Sequence, residues 1–167
     1  MLTTTSLSTT QNMSTNRPTC MHAGCGSGIL GLIALKYGAG RCVGVDIDQD
    51  SLQSAASNCL ANNLKMDLLL TSDDDKEKED VIYDNFPSVE TIQHEKYDVV
   101  VANILAPILI ALVSDLANHT KQGGKVALSG LVTAQQSTVI QAFEQYYDEV
   151  KVSDEENGWA LITGIRK

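Results

Sequence analysis

The sequence predicts an α/β fold, a doubly wound and mostly parallel sheet that closes with a C-terminal antiparallel hairpin. Three observations carry this. From residue 19 onward, short apolar runs alternate with runs of helical period. The run Tyr97-Asp98-Val99-Val100-Val101-Ala102 shows little polar alternation, as in strands covered on both faces. Near the end, Asn157-Gly158 separates two strand-like runs, a strong hairpin signal.

The elements follow in order. Residues 19–23 read as a short first strand and 29–37 as an apolar helix stopped by Gly38 and Gly40. Cys42-Val43-Gly44-Val45 is a buried-type strand ending at Asp46, and Asp48 or Asp50 can cap a helix over about 51–62. Residues 66–70 form a third strand. The pattern then lapses into the acidic stretch 72–96, read as a solvated loop, with attraction of a basic partner as the lesser reading. After the strand 97–102, a helix with Pro107 in its first turn puts Leu109, Leu112, Val113 and Leu116 on one face. Gly123-Gly124 turns into a strand at 125–128, a helix spans about 134–147, and residues 150–152 and 159–165 form the hairpin.

The chain has 167 residues, 43% hydrophobic and 20% charged, which argues for one globular domain over 19–167 behind a Ser/Thr-rich, disordered tail at 1–18. The net charge of −9 disfavours a broad grip on nucleic acid. No apolar run is long enough for a membrane span. Cys20, Cys25, Cys42 and Cys59 form no CxxC pair and no His stands at a zinc-ligand spacing, so reduced thiols and no metal site are expected. We expect a soluble intracellular monomer, in the cytoplasm or, given the weakly transit-like N-terminus, in a chloroplast or mitochondrion.

The chemistry is concentrated in two places. Gly24-Cys25-Gly26-Ser27-Gly28 lies between the first strand and first helix, and glycines there let a ligand approach the backbone. The dinucleotide fingerprint needs glycine at position 29, where Ile29 stands. Asp46, at the end of the next strand, can accept the protons of two ribose hydroxyls. A nucleoside without phosphates, with a zwitterionic amino-acid end, suits this set; S-adenosylmethionine has that form. A tight turn without ligand is the competing reading. The second place is Asn103-Ile104-Leu105-Ala106 at the carboxyl end of the 97–102 strand, where ligands bind in open α/β sheets. The Asn103 amide oxygen can accept an amine's N–H and aim its lone pair at a methyl donor; Asn103 also suits a helix N-cap. Leu128-Ser129-Gly130 shapes the same pocket, with Ser129 as a turn residue. His94 and His119 are expected to face solvent, and His22 to be a satisfied, buried strand histidine.

Gly24-Cys25-Gly26-Ser27-Gly28-Ile29-Leu30, Val43-Gly44-Val45-Asp46-Ile47-Asp48, Val101-Ala102-Asn103-Ile104-Leu105-Ala106 and the closing Trp159-Ala160, Thr163-Gly164 and Arg166-Lys167 together resemble the PrmA-type methyltransferases. The resemblance covers about residues 24–167, and the acidic insertion is more similar to plant members. It implies a Rossmann-like methyltransferase sheet and S-adenosylmethionine-dependent methylation of lysine and N-terminal amines on a large-subunit ribosomal protein. It also implies that Gly24, Cys25, Gly26 and Gly28 line the methionine end and Asp46 holds the ribose. Ile47 would lie against the adenine, Asp73 at its edge, and Asn103 would orient the acceptor amine. His22 departs from the acidic residue usual in the family. The family's upstream substrate-binding domain is expected to be missing, which leaves a second reading: a truncated, weakly active or inactive form serving as a cofactor-binding or interaction module. Direct nucleic-acid binding is not expected.

Overall fold

The computed structural model describes residues 17–71 and 94–167. In chain order these hold β1 (Thr19–Ala23), α1 (Ile29–Lys36), β2 (Arg41–Asp46), α2 (Gln49–Ala61) and β3 (Asp67–Leu70). Then come β4 (Tyr97–Asn103), α3 (Ala106–Ala111), α4 (Val113–His119), β5 (Thr120–Val132), a 3-10 turn (Thr133–Gln135), α5 (Gln136–Phe143), β6 (Tyr147–Glu156) and β7 (Trp159–Arg166). The tail at 1–16 and the acidic stretch at 72–93 lie outside the described residues.

The described strands make one sheet in the order β3-β2-β1-β4-β5-β7-β6. β1 pairs in parallel with β2 and β4, β2 with β3, and β4 with β5, while β7 runs antiparallel to β5 and β6. The chain winds outward from β1 to β3, then returns to lay β4 on the other flank of β1. The strand order therefore reverses between β1 and β4, which is where a sheet of this kind opens a crevice at its carboxyl edge.

Two apolar layers cover the two sheet faces. Met21, Val43, Val100, Val126 and Ile162 point to one side, against Leu109, Leu116, Val139 and Phe143. Cys20, Cys42 and Leu68 point to the other, against Leu32, Leu52, Ala55 and Cys59 of α1 and α2. All four cysteines are free, buried and in this second layer. Side chains alternate along a strand, so His22 shares the face of Cys20. On the outer side of α1, Ile29, Ile33 and Tyr37 form an exposed apolar stripe at four-residue spacing.

Several local readings change. Asp48 is the cap of α2 and accepts from the Ser51 N–H at 3.0 Å, so the helix starts earlier than its apolar pattern. The single helix read with Pro107 in its first turn and Leu109, Leu112, Val113 and Leu116 on one face is two, broken at Leu112. The last helix ends at Phe143; Tyr147 is the first residue of β6, where its hydroxyl lies 2.9 Å from Thr120 Oγ1. Gly123-Gly124 sits inside β5, at the point where its register against β4 shifts. His119 is not simply solvent-facing, for its Nδ1 lies 3.1 Å from the Glu95 carbonyl.

Burial sets the energetics. Phe143 is fully buried and Leu60 is 80% exposed, both on amphipathic helices. Phe143→Ala should lower the unfolding free energy by about 3–5 kcal/mol, and Leu60→Ala should change it by no more than about 0.5 kcal/mol. Urea unfolding curves of the two variants check this; equal costs would show that α5 does not carry the core contact described.

Candidate active site

The glycine loop is held from three sides. The Cys25 N–H donates to the Val45 carbonyl at 2.9 Å, the Gly26 N–H to Asp46 Oδ2 at 2.7 Å, and the Gly28 N–H to the Cys25 carbonyl at 2.8 Å. From α2, Asn58 Nδ2 donates to the Ser27 carbonyl at 2.9 Å. The turn so formed gives Gly26 a φ of 51°, in the left-handed region that favours glycine. A Cβ built on Gly26 would meet nothing within 4 Å, so the crown of the loop faces open space. Cys25 points the other way: it is 2% exposed, and burial, with the Asp46 charge adding, pushes its thiol up to about 12. Only its backbone can face a ligand.

Asp46 ends β2 and ties the loop to the start of α2. While Oδ2 takes the Gly26 N–H, Oδ1 accepts the Asp48 N–H at 3.1 Å. An ionised carboxylate offers about four acceptor sites, so each oxygen keeps one for a further donor. Next to it Ile47 is 79% exposed, an apolar surface beside the carboxylate. Asp73 falls outside the described residues.

Across the crevice, Asn103 is the last residue of β4 and is exposed. It does not cap α3, whose N-cap is Leu105. Its Oδ1 lies 2.7 Å from where a Cβ of Gly130 would stand, so the amide fits only because residue 130 has no side chain. The next residue, Ile104, touches the loop itself: a Cβ on Gly24 would lie 2.4 Å from Ile104 Cγ2. The two motifs that are 80 positions apart in the sequence are thus in contact at the switch point. Ser129 is a strand residue rather than a turn residue, paired with Asn103 in the β4–β5 register.

From Ser129 a cavity of about 270 Å³ opens toward the hairpin, lined also by Asp154, Glu156, Asn157, Trp159 and Leu161. Sequence reasoning missed this wall. The signal was there in an acidic triplet and a tryptophan flanking the Asn157-Gly158 turn, but only the strand pairing brings them beside Ser129. Trp159 is 52% exposed. Among the described residues no group of three or more His, Cys, Asp or Glu is placed to hold a metal ion, and no helix is long and apolar enough to cross a membrane.

His22 is buried, as expected, but not satisfied: its Nδ1 has no hydrogen-bond partner. Burial depresses its pKa to about 4, against the opposing pull of Asp46, so the ring is neutral at physiological pH.

The glycine loop, the strand-end carboxylate and the amide facing them across a reversed parallel sheet with a closing hairpin define a Rossmann-like methyltransferase domain. The family model for ribosomal protein L11 methyltransferase (PrmA) matches residues 2–167, and the chain belongs to that family. It is 36% identical over 152 residues to the ribosomal protein L11 methyltransferase of Neisseria gonorrhoeae, covering 91% of this chain and 45% of that protein. The same protein of Xylella fastidiosa is 38% identical over 144 residues, with 86% and 42% covered. The chain thus spans less than half the length of these relatives. The crystal structure of the ribosomal protein L11 methylase of Lactobacillus delbrueckii subsp. bulgaricus superposes with a TM-score of 0.73 at 29% identity, over 93% of this chain and 73% of that one.

The buried histidine makes stability pH-dependent. Its folded-state pKa of about 4 lies below the ordinary 6.5, so the unfolded chain takes up the proton first as pH falls. Asp46 of β2 is the charged group that acts on it, Cys20 and Cys42 share its sheet face, and Cys25 packs over Gly44 beside it. Full stability is therefore present above about 6.5 and lost progressively toward 4, up to about 3 kcal/mol from this residue. Denaturant unfolding at pH 7 and 4.5 should show a smaller acid loss for His22→Asn than for the wild type; an unchanged loss would remove His22 as its source.

Proposed function

We propose that this chain is the catalytic part of an enzyme that transfers a methyl group from S-adenosyl-L-methionine to amines, on a lysine side chain or an N-terminus of ribosomal protein L11. The observation that carries the reading is the contact between the two motifs, Ile104 against Gly24, with Asn103 beside it at the end of β4 and the loop open at Gly26. The residues present fit the cofactor. The space over Gly26 admits an amino-acid end against the backbone, the free acceptor sites of Asp46 suit the two ribose hydroxyls, and exposed Ile47 gives adenine an apolar neighbour. Asp73 is assigned to the adenine edge from the family resemblance alone. Solved relatives of this fold include a Thermus thermophilus 16S rRNA N2 G1207 methyltransferase in complex with AdoMet and guanosine, with a TM-score of 0.67 at 20% identity.

When bound, the cofactor supplies an already activated sulfonium methyl, so the chain needs to position a neutral amine rather than deprotonate it strongly. Asn103 Oδ1 accepts an amine N–H and turns the nitrogen lone pair toward the loop. Its orientation is held by the close fit against Gly130. The cavity beside Ser129 supplies the acceptor's path, with Trp159 and Leu161 for an alkyl stem and Asp154 and Glu156 favouring a cationic approach.

The chain's span of less than half the relatives' length supports a second reading, cofactor binding without turnover. Radiolabelled methyl transfer onto ribosomal protein L11, run beside calorimetric titration with S-adenosylhomocysteine, separates the two. On the catalytic reading the chain transfers label, and Asn103→Ala lowers the rate by about 100-fold or more while binding the nucleoside within about threefold of wild type. Binding without any label in the wild type supports the second reading. Undiminished label in the variant removes Asn103 from its role.

Asp46→Asn tests the ribose contact. Loss of a charge-assisted pair should weaken S-adenosylhomocysteine by about 10- to 100-fold. Unchanged affinity in the same titration would show that Asp46 serves only the loop.

A further inference from the structure

Among the described residues the two faces of the sheet are covered unequally. On the face that carries Met21, Val100, Val126 and Ile162, the helices α3, α4 and α5 pack over β4, β5 and β7. On the other face α1 lies over β1 and β2, and α2 over β2 and β3. No described helix packs over β5, β7 or β6 on that side. Val99, Ala127, Leu161 and Ile165 point to it, since each stands next to a residue turned to the covered face along its strand. All four are half-buried and belong to neither apolar layer. With about 4.8 Å between strands and about 3.4 Å per residue, the open patch from β4 to β6 measures about 15 by 20 Å. Open apolar surface of this extent is a mark of an interaction site.

The charges on the same face select the occupant. Lys125 stands in register between Val99 and Ile165, near the amino end of β4. On β6, Lys151 is opposite Thr163, Asp154 opposite Leu161 and Glu156 opposite Trp159. All four charged side chains are exposed. Cations therefore lie toward one end of the patch and anions toward the other. The acid at the cationic end, Asp148, has Lys167 Nζ at 3.9 Å. We propose that this half-face is the contact between two copies of the chain, packed face to face about a two-fold axis that lies in the interface and runs across the strands. Such an axis turns one copy end for end, so the cationic end of each meets the anionic end of the other. With the axis between the Thr163 and Leu161 rows, Lys151 of each copy faces Asp154 of the other, and Ile165 faces Trp159. A uniformly basic or uniformly acidic partner would meet like charge at one end, whereas a second copy matches both ends. The patch is at the small end of specific interfaces, so the dimer is weak and reversible. Asp154, Trp159 and Leu161 also line the cavity at Ser129, so a seated copy and an incoming acceptor exclude each other there.

Sedimentation velocity on the full chain, without cofactor, tests the dimer independently of the methyl-transfer reading. Between about 1 and 100 µM the weight-average mass should rise from that of one chain toward that of two. Lys151→Glu and Asp154→Lys should each weaken the dimer by about 10-fold or more, since each sets like charges together at two symmetric contacts. Mixed in equal amounts, the two variants should regain the wild-type association, because every reversed charge then meets its opposite. A wild type that stays monomeric at about 100 µM, or whose mass climbs past two chains, would overturn the proposal. Variants that associate as the wild type does, or folded variants whose mixture fails to recover, would overturn it as well. If a variant does not fold, the wild type in rising salt decides: the dimer should weaken about 10-fold between about 0.05 and 0.5 M sodium chloride, and association that is unchanged or tighter overturns the charge-matched contact.

Discussion

The hydrogen bond from the Gly26 N–H to Asp46 Oδ2, at 2.7 Å, is the tie on which the rest of the site depends. It closes a circuit of β1, loop, α1 and β2. The register Ala23↔Val45 brings the ends of the two strands level, and the Cys25 N–H on the Val45 carbonyl fixes the first step of the loop. The second oxygen of Asp46 takes the Asp48 N–H, and Asp48 in turn caps α2. One carboxylate therefore sets the loop against β2 and the entry of the next helix. Its use of one acceptor site per oxygen on the backbone leaves the outward sites fixed in direction, the condition for reading a pair of hydroxyls without rearrangement.

The topology supplies the other half. Because the chain leaves β1 toward β2 and comes back on its opposite flank as β4, the segments after β1 and β4 diverge to opposite faces of the sheet. The loop runs to α1 on one side and Ile104-Leu105 to α3 on the other, and between them the two apolar layers do not meet. The contact of Ile104 with Gly24 closes the floor of that gap, and Gly130 leaves room for the Asn103 amide at its rim. Packing at these two points is close enough that a single methyl group on either glycine would displace the motif opposite.

What was legible in the sequence divides along physical lines. The parallel strands and the glycine loop could be read because each is set by local composition: continuous apolar runs, and glycine spacing between a strand and a helix. The break at Leu112 could not, since the apolar face continues across it and only tertiary packing decides where the axis bends. Tyr147 was drawn into the preceding helix by its spacing, yet a hydrogen bond to Thr120, 27 positions away, holds it in β6. Asn103 was balanced between capping and chemistry because both are local preferences of asparagine; Leu105 as the cap settles the first part. The cavity at Ser129 depends on register between β5, β7 and β6, which no local signal encodes.

His22 also follows from the charge carried by its neighbours. Asp46 already places one negative charge at the end of β2, and Cys20 and Cys42 share the sheet face of His22, with Cys25 packed over the neighbouring Gly44. A carboxylate at position 22 would be a buried anion near the half-buried Asp46, and each would resist ionisation of the other. A neutral imidazole gives an acceptor without that charge.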